Sequence, residues 1–197
     1  MLIEHEGRSP QVDPGAWVAP TAVLCGDVCV AAGARVLWNA VLVDDGGAVE
    51  VGEQAIVMEQ ALLRGRRGQP VRIGAHVTVG PDAHVNGATV GDGAFLATGV
   101  SIFPGARVGA GAEVRINGVV HVNSTLPDDG LVPIGWVAVG DPAQVLPPDR
   151  HEEIWEIQRE LDFPGTVLGV PRGTPAAEIT RRYAELFGRH RDDRVID

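Results

Sequence analysis

The chain has 197 residues, a formal net charge of −10, 45% hydrophobic residues and only 5% aromatic ones. That length suits one domain with an appendage and is enough to bury a core, whereas the acidic balance excludes a phosphate backbone as partner, which needs a basic face. A core short of aromatics and rich in Gly, Val and Ala points to short strands in a narrow prism rather than to a sandwich.

The N-terminus, Met1 to Glu6, has no basic stretch followed by an apolar run, and no apolar stretch approaches membrane-spanning length. Two cysteines, Cys25 and Cys29, make no disulfide framework. The expectation is a cytoplasmic protein with no membrane partner. Neither cysteine has a histidine or other ligand near it in sequence, so neither is expected to carry chemistry.

Next comes a repeat. An aliphatic residue recurs every six positions through Val12, Val18, Leu24, Val30, Val36 and Leu42. After a short insertion it resumes at Val51, Val57 and Leu63. After a second, Arg66 to Gln69, it runs on through Ile73, Val79 and Val85. One step of five leads to Val90, Leu96, Ile102, Val108, Val114 and Val120. The fourth residue after each is small or β-branched, as at Ala22, Ala40, Ala61, Ala83 and Ala106, and turn-tolerant residues fill the slots between. A short strand makes one flat side and a turn makes a corner, so three sides close a coil. Each coil rests only on its neighbours. Antiparallel hairpins do not keep a six-residue lattice for over a hundred residues. The expected fold is all-β, a parallel β-helix of hexapeptide repeats over 1–145, with an α-helical extension over 146–197 packing on the prism.

In that extension the spacing predicts a helix from Asp149 to Leu161, capped by Asp149, with Ile154, Ile157 and Leu161 on one face. A Pro/Gly-rich linker runs from Phe163 to Gly173. A second helix starts at Thr174-Pro175, carries Ile179, Tyr183, Leu186 and Phe187 as its stripe, and stops at Gly188.

The lattice also says which residues stack. With the second insertion removed, Leu63 and Val85 are equivalent, so Arg64 and Asn86 lie on adjacent rungs and face outward. Cys25, Val43, Phe103 and His121 belong to the same column. Glu59 and Pro81 form a neighbouring column one corner away.

The segments Leu37 to Asp45 and Ile56 to Gly91, with the Gly140-Asp141-Pro142-Ala143 ending, resemble the γ-class carbonic anhydrases over roughly residues 10 to 150. The repeat and the ending are similar to hexapeptide acyltransferases as well. The resemblance implies left-handed coils, a homotrimer and a zinc ion held by three histidines at a subunit interface. Carried over residue by residue, those histidines fall on Arg64, Pro81 and Asn86. A guanidinium is always cationic, proline has no donor atom, and an amide is a poor zinc ligand. The family's interface Arg falls on Val43, its partner Asp is kept as Asp45, and the two residues that position the reacting water fall on Met58 and Glu59.

The resemblance therefore implies a homotrimer that has lost zinc-dependent CO2 hydration and keeps a cleft for a small anionic substrate, with no cofactor and no metal. Its candidate catalytic groups are His84 and Glu59; its candidate substrate-binding groups are Arg64, Asn86, Asp45 and His121. Arg64 with Glu59 or Asp45 as counter-ion also fits a structural ion pair that replaces the metal. Two other classes stay open: a hexapeptide acyltransferase using His84 or His121, and a non-catalytic assembly subunit whose C-terminal helices bind a partner.

Overall fold

The computed structural model describes residues 1–196. The chain is mostly β and winds as a parallel β-solenoid of about eight turns, with short helices after residue 150. Each turn lays one strand on each of three faces. The longest face orders ten strands, from Arg194–Val195 through Leu2–Glu4, Val23–Cys25, Val41–Asp45, Leu62–Arg66, His84–Asn86, Ser101–Ile102, Val119–Val120 and Val137–Val139 to Gln144–Leu146. The other two faces have seven strands each, most of them two residues long. Short strands suffice because each pays its backbone hydrogen bonds to the coil above and the coil below.

The six-residue lattice predicts the core. Leu24, Leu42, Leu63, Val85, Leu96, Ile102 and Val120 are all buried, and the small residues Ala22, Ala40, Ala61, Ala83 and Ala106 lie beside them. Val12 and Val18 are less covered, because they lie in the first coil, which has a neighbour on one side only. Several corners are turned by residues other than glycine: Asn39, Gln60, His76, Asp82, Asn117 and Asn123 all take a positive φ. Asn and Asp tolerate this conformation through local hydrogen bonds.

Both ends of the long face are closed by antiparallel strands from the C-terminal part of the chain. Gln144–Leu146 turns back on Val137–Val139, and Arg194–Val195 pairs with Leu2–Glu4. Raw strand edges are thereby covered.

The helices differ in detail from the sequence expectation. The first runs over His151–Gln158 and continues as a 3-10 turn to Leu161; Arg150, not Asp149, stands at its N-cap, and no side chain caps it. Its stripe behaves as predicted, with Ile154, Ile157 and Leu161 packed on Val139 and Leu146. The Pro/Gly-rich linker contains a wide helical turn at Pro164–Leu168. The second helix covers Ala176–Gly188 with Pro175 as N-cap in place of Thr174, whose hydroxyl instead donates to the Pro171 carbonyl. No residue of that helix is buried. Among the described residues no helix is long and apolar enough to cross a membrane.

Candidate functional site

The two insertions shape the site. They lengthen Val41–Asp45 and Leu62–Arg66 to five residues each, in register from Leu62 opposite Val41 to Arg66 opposite Asp45. The result is a ledge that overhangs the regular lattice. Gly65 is required there: a Cβ at this position would lie 1.9 Å from the Gly47 carbonyl oxygen. Side chains alternate along a strand, so Leu62, Arg64 and Arg66 share the outer surface with Val43 and Asp45.

The expected column is real. Arg64 lies opposite Asn86 on one side and Val43 on the other, and Val43 lies opposite Cys25. The strands that precede Phe103 and His121 continue the register. The C-terminal extension runs back along this column. Phe163 reaches Phe103 and His121, Phe187 lies under the Arg64 guanidinium at 5.4 Å, and His190 reaches Cys25 and Asp45.

Arg64 Nε contacts Asp45 Oδ2 at 3.0 Å, as an ionic contact rather than an aligned hydrogen bond. Asp45, only 5% exposed, therefore supplies the counter-ion. Glu59 makes no ion pair among the described residues; its carbonyl accepts from the Asp82 N–H at 3.0 Å. On the strand below, His84 Nε2 and Asn86 Oδ1 are buried without a hydrogen-bond partner. Burial lowers the His84 pKa, and the Arg64 and Arg66 charges lower it further, so its imidazole is neutral near pH 7.

His121 is elsewhere. The strand Ser101–Ile102 separates it from His84 and Asn86. It stacks on Phe103 at 5.5 Å and on Phe163 at 5.8 Å. Burial alone pushes its pKa down to about 4. The structure thus brings Arg64, Asp45, His84 and Asn86 into one neighbourhood, and sets Glu59 and His121 apart from it.

Two features were missed from sequence. The first is a cavity of about 400 Å³ between the ledge and the C-terminal extension, lined by Arg66, Arg67, Arg182 and Arg189 with Asp45 and Glu185. Arg182 pairs with Glu178 and Arg189 with Glu6; Arg66 and Arg67 make no ion pair among the described residues. The pair Arg66-Arg67 inside an insertion was the available signal. The second is the company of Cys25: His5, His190 and Asp193 gather around it. Column membership placed Cys25 facing outward, but no periodicity brings residue 190 to the first rung.

The residues that fall where the resemblance would put a zinc ion do not fit it: Arg64 stands in an ion pair with Asp45, and beside it the Asn86 amide oxygen is a poor zinc ligand.

No family model matches the chain. A stretch of 56 residues is 39% identical to the mitochondrial γ-carbonic anhydrase 3 of Arabidopsis thaliana, covering 28% of this chain and 22% of that protein. Over 82% of its length the fold matches a hexapeptide transferase family protein from Anaplasma phagocytophilum, at 27% identity, a TM-score of 0.54 and 92% of that chain. The chain is thus a hexapeptide-repeat β-solenoid that resembles the γ-carbonic anhydrases over a short stretch. A Bacillus cereus protein classed with the acetyltransferases matches at 20% identity and a TM-score of 0.52, over 83% of this chain and 93% of that one, which speaks for the fold alone. The chain spans about a fifth of the length of the plant protein that it matches.

Proposed function

We propose that this γ-carbonic anhydrase-like chain assembles as a homotrimer and binds a small oxyanion without a metal, in the arginine-lined cavity beside the ledge, with neutral His84 and Asn86 on the adjacent strand outside the cavity lining. The observation that carries the reading is the pair of guanidinium groups, Arg66 and Arg67, that line the cavity without an ion-pair partner among the described residues. Guanidinium groups hold carboxylate, bicarbonate and phosphate through paired N–H donors. His84 lies one strand away, outside the cavity lining, with its buried Nε2 unpartnered and within reach of the Arg66 charge. Arg64 serves in this reading as a strut: its charge is spent on Asp45, and it stands in for the family's metal rather than for a substrate anchor.

The trimer is supported by one face of the prism. Its outward column carries Trp17, Ile56, Phe95 and Leu131, all exposed, and Trp38 packs edge-on against Trp17 at 5.3 Å. Arg35, Thr78 and Glu113 stand between them on the intervening rungs, and a face that sets exposed large apolar residues among polar ones fits the mixed character of a subunit interface. The half-covered stripe of Ala176–Gly188 invites the same partner.

The transferase reading has one supporting observation, the 27% identity to a hexapeptide transferase family protein over 92% of that chain. Against it, His121 is shut between two phenylalanines, which leaves His84 alone as the base.

Calorimetric titration with bicarbonate, inorganic phosphate and acetyl-CoA tests these readings together. Binding of one of the two oxyanions is expected, weakened about tenfold or more in an Arg66→Gln/Arg67→Gln variant, since a hydrogen bond to a charged group contributes about 1.5–3 kcal/mol. No oxyanion binding, or undiminished binding to that variant, would overturn the proposal. Binding of acetyl-CoA alone would hand the site to the transferases. Sedimentation of the same samples checks the trimer.

A further inference from the structure

We infer that His5, Cys25, His190 and Asp193 form a structural binding site for a zinc-class divalent cation, distinct from the family's metal position and independent of the anion cavity. One ligand atom from each of the four lies within 4.8 Å of the other three. His5 Nδ1 is 2.6 Å from Asp193 Oδ1, and His190 Nδ1 is 2.8 Å from Asp193 Oδ2. Cys25 Sγ is 3.4 Å from Asp193 Oδ2 and 4.0 Å from His190 Nδ1. A tetrahedral ion with nitrogen and oxygen at about 2.0–2.1 Å and sulfur at about 2.3 Å separates its ligands by roughly 3.3–3.7 Å. The observed separations straddle that range, and small side-chain rotations bring them into it.

The donor set selects the ion. One thiol, two imidazoles and one carboxylate suit zinc, cobalt(II) or iron(II), and not magnesium or calcium, which take oxygen. The outer contacts have the pattern of a built site. The second ring nitrogen of His190, Nε2, lies 2.9 Å from Asp45 Oδ1, and the other oxygen of Asp45 faces Arg64. A carboxylate behind a ligating imidazole fixes its tautomer and strengthens it as a donor. His5 is completely buried; its Nε2 has no hydrogen-bond partner, and Glu6 Oε2 stands 4.0 Å away. With Nδ1 on the ion, that Nε2 carries the hydrogen and points toward a carboxylate.

The charge balance favours a cation. Cys25 is buried, with Asp193 Oδ2 3.4 Å from its sulfur and the carboxylates of Asp45 and Asp44 close by, an excess of negative charge that disfavours a bare thiolate. A divalent ion reverses that pressure: the S–H bond breaks and an S–metal bond forms, the His190 Nδ1–H bond gives way to an N–metal bond while Nε2–H stays on Asp45, and the displaced protons leave to the buffer. Four protein ligands leave no open position for water, so the site is a staple and not a hydratase centre. It ties the first strand and the second long-face strand to the 3-10 turn Arg189–Asp192 and the Asp193 that follows it, spanning 188 residues between His5 and Asp193. A crosslink closing so long a loop acts strongly on the unfolded chain.

The test is metal content per chain of the full-length protein purified without chelator or metal-affinity tag, followed by cobalt substitution. About one zinc per chain is expected, together with a thiolate-to-cobalt charge-transfer band in the near ultraviolet. Cys25→Ser removes the band, Asp193→Asn, which keeps the hydrogen-bonding shape, weakens retention at least tenfold, and His84→Gln leaves both unchanged. Chelation lowers the melting temperature of the parent and not of Asp193→Asn. A protein that is metal-free and gives no thiolate band, or one that keeps its metal and band in Cys25→Ser, overturns the proposal. Neither result bears on oxyanion binding at Arg66 and Arg67.

Discussion

The two ends of the long face treat the same side chain in opposite ways. Toward the C-terminal end, His121 is 7% exposed, shut between Phe103 and Phe163, and meets no charge. Toward the N-terminal end, burial pulls His190 down as well, but hydrogen bonds to Asp45 and Asp193 outweigh it and its pKa is raised. Both histidines come to the same column, one from the lattice and one from the extension. The contrast teaches that this face is not one cleft. It has a dry end, where the extension seals the prism, and a charged end, where it brings a second set of polar groups to the ledge.

The dry end gives the largest expected effect. A histidine held down at about 4 and returning to about 6.5 on unfolding takes up its proton only in the unfolded chain between those values. Stability is therefore fully present above about pH 6.5 and is lost as the pH falls toward 4, by a total on the order of 3 kcal/mol. His84, also lowered by burial and by its arginines, adds to the same slope. Urea unfolding at a series of pH values between 7 and 4 is expected to show this decline, and His121→Leu to flatten most of it. An equally steep acid limb in His121→Leu would mean that the dry end is wet.

The charged end comes second. Asp45 faces Arg64 and His190 at once. Removing it leaves a guanidinium and an imidazole facing each other. Arg64 is partly exposed, so the cost falls below that of breaking a fully buried pair, at about 2 kcal/mol for Asp45→Ala. Asp45→Asn, which keeps one acceptor for His190, should lose about half of that. Identical losses in the two variants would show that shape rather than charge holds this end together.

How much of this was legible beforehand follows from periodicity. Leu24, Leu42, Leu63 and Val85 set the rungs, and Arg64 opposite Asn86 followed from counting six with one insertion removed. The Arg64 counter-ion was narrowed to two carboxylates, and the ledge decided for Asp45. What lay beyond reach depended on residues without a lattice. His190 and Asp193 follow the second helix, and only the paths of that helix and the linker before it deliver them to Cys25. The caps went wrong for a similar reason: Asp149 and Thr174 are good N-cap residues, yet each helix starts later than its cap signal, and Thr174 is engaged by Pro171. Glu59 shows the converse, a residue singled out by type that stands at a corner and makes no ion pair among the described residues.

The smallest effect belongs to a control between the two ends. Arg72 Nε and Glu50 Oε2 stand 3.3 Å apart on the second face, each side chain about half exposed. Solvent screens such a pair and the ordering of two long side chains offsets the attraction, so it contributes little. Arg72→Ala should change the unfolding free energy by less than about 0.5 kcal/mol, with no change in its pH dependence. The same substitution alters the net charge by one unit in the same sense as Arg64→Ala. If the two variants lost equal stability, the charged end would owe its effect to overall charge; a clear excess in Arg64→Ala assigns it to the contact with Asp45, because geometry is then what distinguishes one arginine–carboxylate pair from the other.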